Sequence, residues 1–117
     1  MSFMEIKLVK HKITRQDLTC IASGNYGSMV KGVVDLGRNI LALGGELHAD
    51  AEAVLLQDGA QPQDLWGFNI YLDKPDVERV EYTSLINIRP GLGNKSIEIQ
   101  DPGLRTRVLT VINALIE

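Results

Sequence analysis

The chain has 117 residues, 44% hydrophobic and 23% charged, the proportions of one soluble globular domain that needs neither disulfide nor metal to hold a core. Twelve Lys and Arg against fifteen Asp and Glu leave a net charge of −3, which argues against nucleic-acid binding, because that depends on a basic surface. The single cysteine, Cys20, excludes an internal disulfide and any thiol cluster for zinc or iron–sulfur, and its apolar helical surroundings predict a buried small residue rather than a nucleophile.

Met1-Ser2-Phe3-Met4-Glu5 opens directly into Ile6-Lys7-Leu8-Val9. No basic start, apolar run and cleavage site is seen, so no secretory signal is expected. No apolar run approaches the ~20 residues that span a bilayer. A cytoplasmic protein without a membrane partner is expected.

Ile6–Val9 reads as a short strand. Thr14-Arg15-Gln16-Asp17 has the form of a capping box, with Asp replacing the usual Glu or Gln and with Ile13 and Leu18 placed for a hydrophobic staple. A helix therefore starts there, and Gly24-Asn25 ends it near Ser23. Valine-rich Met29–Leu36 and then Ile40–Leu43 read as strands, joined into a hairpin by the polar turn Asp35–Asn39. Gly44-Gly45 breaks the pattern. Ala49–Asp58 fits a helix ending at Gly59, and the alternation of Ala49, Ala51, Ala53 and Leu55 also fits a strand. Helix is preferred, because the run is rich in alanine and poor in β-branched residues.

Gln61–Asp64 is a loop. Leu65–Leu72 reads as a strand with Trp66, Phe68, Ile70 and Leu72 on one face and Gly67, Asn69 and Tyr71 on the other. Trp66 is therefore expected in the core. After a turn at Asp73–Asp76, Glu78–Arg89 is the longest strand candidate. Its apolar residues Val80, Tyr82, Ile86 and Ile88 oppose Glu81, Thr83, Asn87 and Arg89. Pro90–Asn94 is a hairpin loop returning through Ser96–Ile99. Asp101 is a good N-cap, Pro102 suits the first helical position, and Leu104, Val108, Val111 and Leu115 recur at helical spacing. The order β-α-β-β-α-β-β-β-α predicts a single α+β domain over 1–117, with a largely antiparallel sheet and helices packed on one face.

With helices on the apolar face, the opposite face would present Asn69, Tyr71, Asn87, Arg89, Ser96 and Glu98. Arg89 is the natural anchor for a carboxylate or phosphate, since its planar fork makes two-point contact. A solvated face or a polar dimer interface would carry the same residues. Gly45-Glu46-Leu47-His48-Ala49-Asp50-Ala51-Glu52 gathers a histidine and three carboxylates. In a helix His48 and Glu52 share a side; in a strand Glu46, His48, Asp50 and Glu52 do. Either geometry could bind one divalent ion, with His48, Asp50 and Glu52 as the metal candidates, or orient His48 as a base. No His-Glu-x-x-His spacing is present, and His11 lies in the basic stretch Lys10-His11-Lys12. The plain alternative is that Asp50 and Glu52 favour a helix N-terminus which His48 caps. Gly91–Ser96 lacks the spacing of a phosphate loop, and no Gly-x-Ser-x-Gly elbow or dinucleotide fingerprint occurs.

Three segments together, Gly45–Glu52, Asp64–Tyr71 and Ser84–Pro90, resemble the hallmarks of a small prokaryotic family known only as a domain of unknown function. The resemblance runs from Met4 to the final helix. It implies a bacterial or archaeal cytoplasmic protein, carries over no reaction, and places the family's characteristic polar residues on Glu46, His48, Asn69, Asn87 and Arg89.

Two functions fit. In one, Glu46, His48, Asn69, Asn87, Arg89 and Glu98 form a polar pocket for a small anionic ligand. Arg89 would be the anchor, and His48 with Glu46 or Glu52 would move a proton or hold a metal, as in a metal-dependent hydrolase. In the other, the same face is a non-catalytic homodimer or partner interface. Binding without catalysis is favoured, because neither a nucleophile nor a complete metal-ligand set is visible, and no motif indicates a cofactor. A shared site would bring Arg89 within direct or single-water reach of Glu46 or His48.

Overall fold

The structure, a computed structural model, describes residues 4–117; the part of the leader expectation resting on Met1, Ser2 and Phe3 lies outside the described residues. The strands are β1 (Ile6–Val9), β2 (Met29–Asp35), β3 (Ile40–Gly44), β4 (Leu65–Tyr71) and β5 (Val80–Glu81). The helices are α1 (Arg15–Ser23), α2 (His48–Gln57) and α3 (Pro102–Leu115). The strands form one sheet in the order β1-β3-β2-β4-β5, and every neighbouring pair is antiparallel. This is the expected α+β architecture, with the elements in the expected order. Among the described residues no helix is long and apolar enough to cross a membrane.

Local signals set the helix ends. Thr14 and Asp17 exchange the two bonds of a capping box, each side chain accepting the other's backbone N–H, and Leu18 behind them is buried. Asp101 caps α3 by accepting the Gly103 N–H, with Pro102 next to it. The 49–58 segment is helical. Ala51 and Leu55, four apart, are its buried residues, and Gly59 follows at φ 107, where a side chain would be strained.

The helices divide between the two faces of the sheet, which corrects the expectation that all lie on one. Alternation along each strand separates two apolar clusters. Val30, Val34, Leu41, Leu43, Trp66, Phe68 and Ile70 pack with Leu18 and Ala22 of α1 and with Val108, Val111 and Ile112 of α3. Val33, Ile40, Ala42 and Leu65 pack with Ala51 and Leu55 of α2. The small residues of α2 and Ala42 let this helix sit close to β1, β3 and β2, while over Gly67 of β4 the same face is covered by Ser84 and Ile86.

The expected long strand 78–89 is reduced to β5. A 3-10 turn covers Asp76–Glu78 and another Leu85–Asn87. Ser84 starts the second turn by accepting the Ile86 N–H. The return through Ser96–Ile99 survives as the isolated bridge Thr83↔Glu98. Cys20 is exposed rather than buried, because the buried side of α1 is set by Leu18 and Ala22 and Cys20 falls midway between them, on the far side.

Candidate functional site

Beside α2 the same sheet face carries polar side chains from β2, β4 and β5. Register puts Lys31 opposite Asn69 and Asn69 opposite Glu81, so these three side chains form one cross-strand row. The Asn69 amide donates to Glu81 Oε1 at 2.8 Å, and Tyr71 donates its hydroxyl to the same oxygen at 3.0 Å. Asn69 is 8% exposed, and its Oδ1 is buried without a hydrogen-bond partner.

His48, the first residue of α2, reaches down to this row. Its Nε2 lies 2.8 Å from the Phe68 carbonyl oxygen. A carbonyl only accepts, so Nε2 carries the proton and the neutral ring keeps its Nδ1 lone pair free. Burial pushes the imidazole below its ordinary 6.5, and Lys31 adds to this; the Phe68 carbonyl, the neighbouring Asn69 side chain and the charge of Glu81 pull the other way. Burial raises the Tyr71 phenol, and its bond to Glu81 acts in the same direction.

Lys31 donates to the Glu46 carbonyl at 2.8 Å and lies over the Tyr26 ring; Tyr26 donates to that same carbonyl at 2.9 Å. The start of α2 beside them is only half capped. Asp50 accepts the Leu47 N–H at 3.1 Å, and Leu47, at the cap position, has no side-chain acceptor to return. The free N–H groups of the first turn and the helix dipole give this end a positive potential.

The structure separates the residues expected to act together. His48 and Asn69 meet. Glu46 contributes its carbonyl, not its carboxylate. Arg89 does not bind Glu46 or His48; it donates from Nη2 to Glu52 at 2.8 Å and from Nε to the Ile86 carbonyl at 3.0 Å. It also bonds the Pro62 carbonyl and lies over the Trp66 ring. These contacts clamp the 84–90 segment to α2 and β4. Asn87 is fully buried and spends its amide on Gly67, accepting the N–H at 2.8 Å and donating to the carbonyl at 3.0 Å. Glu98 is exposed and joins the Thr83 bridge and Asn94 through its backbone. The strand alternation expected for Asn87 and Arg89 fails because this stretch is a 3-10 turn, in which the polar side chains satisfy backbone groups.

His48, Asp50 and Glu52 turn to three different partners, Phe68, Leu47 and Arg89. Among the described residues no three His, Cys, Asp or Glu gather to hold a metal ion. Lys31 and Glu81 are the site residues the sequence reading passed over. The alternation Met29, Lys31, Val33 in a strand read only as valine-rich was the signal for Lys31. Two cavities lie elsewhere: about 360 Å³ beside Lys7, Asp17 and Cys20, and about 540 Å³ beside Lys12, Arg15 and Arg79. In the second, Arg79 donates from Nη1 and Nη2 to the Glu117 and Ile116 carbonyls and to Asn113 at the end of α3, and its Nε is buried without a partner.

A family model described as "Protein of unknown function (DUF5674)" matches residues 7–115. No curated protein and no solved structure matches the chain.

Proposed function

Because the chain belongs to the family of unknown function DUF5674, which assigns no reaction, we propose a function from geometry: it binds a small ligand bearing an anionic group at the mouth of α2. The anionic group meets Lys31 and the free N–H groups of the α2 first turn. The polar remainder of the ligand meets His48, whose Nδ1 accepts a hydrogen bond or a proton. The domain acts in the cytoplasm of a bacterium or archaeon, as its family resemblance implies.

The observation that carries this reading is the hydrogen-bonded row Asn69–Glu81–Tyr71 beside His48. Its orphan Asn69 Oδ1 costs about 1–3 kcal/mol, and native folds keep few such groups. A structural role alone is served more cheaply by apolar residues there.

The test is an amide-resolved NMR titration with a panel of phosphate esters, monocarboxylates and dicarboxylates. A binder is expected to shift Ala49, Asp50 and Asn69. His48→Ala and Lys31→Ala are expected to lose that response while remaining folded, and Arg89→Ala to lower stability without abolishing it. A panel that leaves these amides unmoved, or variants that bind as tightly as the parent, would sink the proposal.

A further inference from the structure

Residues 84–99 form a pinned irregular segment in which Ser84, Asn87 and Asn94 are buried while Leu85, Ile88, Leu92 and Ile97 stand outside; Ile86 and Ile99 pack inward. Its two limbs are joined by the Ser84 N–H to the Ile97 carbonyl at 2.9 Å and by the bridges Thr83↔Glu98 and Arg89↔Asn94. The buried Asn94 amide donates to the carbonyls of Asn87, Ser96 and Glu98. Ser84, Asn87 and Asn94 are therefore spent on backbone groups that no strand ladder satisfies. Leu85 is left 77% exposed, Ile88 45%, Leu92 49% and Ile97 42%. Single exposed aliphatic residues are ordinary. Four within residues 85–97 of one rigidly held segment mark a contact surface.

Charge identifies the occupant. Lys95 and Glu98 lie on this segment, both exposed, and neither takes part in the ion pairs formed among the described residues. A surface carrying one free cation and one free anion beside its aliphatic residues is self-complementary. A two-fold contact sets each residue i against j of the other copy and j against i. Nucleic acid or an anionic membrane would require an excess of cations instead. We infer that two copies of this chain pair through the outer surface of 84–99. Leu85, Ile88, Leu92 and Ile97 make the desolvated centre, and Lys95 of each copy meets Glu98 of the other at the rim. This contact is independent of the ligand site at His48.

The test is sedimentation equilibrium of the full chain from low to high micromolar concentration, with folding checked by circular dichroism. The parent is expected to dimerise, and Leu85→Asp to weaken the dimer about tenfold or more, a loss of ~1.4 kcal/mol. Lys95→Glu and Glu98→Lys are each expected to weaken it, and the two together to restore it. His48→Ala is expected to leave it unchanged. A parent that stays monomeric, or a dimer indifferent to Leu85→Asp, overturns the inference. Failure of the double charge reversal to restore pairing overturns the two-fold arrangement.

Discussion

Asn87 gives both ends of its amide to one residue, Gly67 of β4, so a single side chain continues the hydrogen bonding that a longer β5 would have supplied. Glycine is needed opposite it, because a Cβ on Gly67 would sit 2.5 Å from that of Ser84. Asn87→Ala strands a buried N–H and a buried carbonyl, and urea denaturation is expected to show a loss of about 1–3 kcal/mol. Unchanged stability would remove this role. His48 offers a second measurement. Its folded pKa lies below the ordinary 6.5, so the unfolded chain binds the proton more readily. The stability it contributes is complete above about 6.5 and is lost as pH falls through the folded value. Between about pH 8 and pH 5, the parent should lose more stability than His48→Gln; parallel curves would show that the imidazole does not change its proton affinity on folding.

Helices α1 and α3 carry strong local signals: a capping box and a glycine stop for α1, and a capped start with an apolar stripe for α3. α3 buries Val108, Val111 and Ile112, and Leu104 and Leu115 pack against the same core. Val111→Asp places an unpaired carboxylate in that core, at a cost expected to exceed ~4 kcal/mol. Circular dichroism should find the variant unfolded or nearly so, and an unchanged melting temperature would show that α3 does not anchor this face. α2 carried two periodicities at once. Its alanines suit a helix lying close on Val33 and Ala42, and that packing decides between them. The 78–89 stretch alternated well enough for a strand, yet Ser84 and Asn87 bind the backbone and turn the chain; alternation does not reveal such side-chain competition.

Four of the twelve Lys and Arg form ion pairs with acids among the described residues. Arg15 bonds Asp76, Arg38 bonds Asp35 and Asp58, Lys10 bonds Asp58, and Arg89 bonds Glu52. Together with the net charge of −3, this disfavours the non-specific tracking of a phosphate backbone, which depends on an excess of cations. Fluorescence anisotropy with duplex DNA at physiological salt is expected to show no binding tighter than about micromolar. Tight, salt-sensitive binding would contradict it. At this scale the candidate site also takes its shape: α2 packs on one sheet face, and its first residue, His48, reaches the Phe68 carbonyl beside the polar row.

The sequence by itself determined the α+β class, the antiparallel character of the sheet, the caps of α1 and α3 and the candidacy of His48 and Asn69. Those features rest on short-range rules, namely spacing within one turn or one strand and the chemistry of a few neighbouring residues. Only the tertiary structure decided that α2 lies opposite α1 and α3, that Arg89 serves Glu52 across 37 positions, and that Asn87 serves Gly67 across 20. Lys31 entered the site only once β2 was set against β4. Each of these is a contact between residues far apart in the chain. Periodicity states which face a side chain occupies, and packing alone states what stands in front of that face.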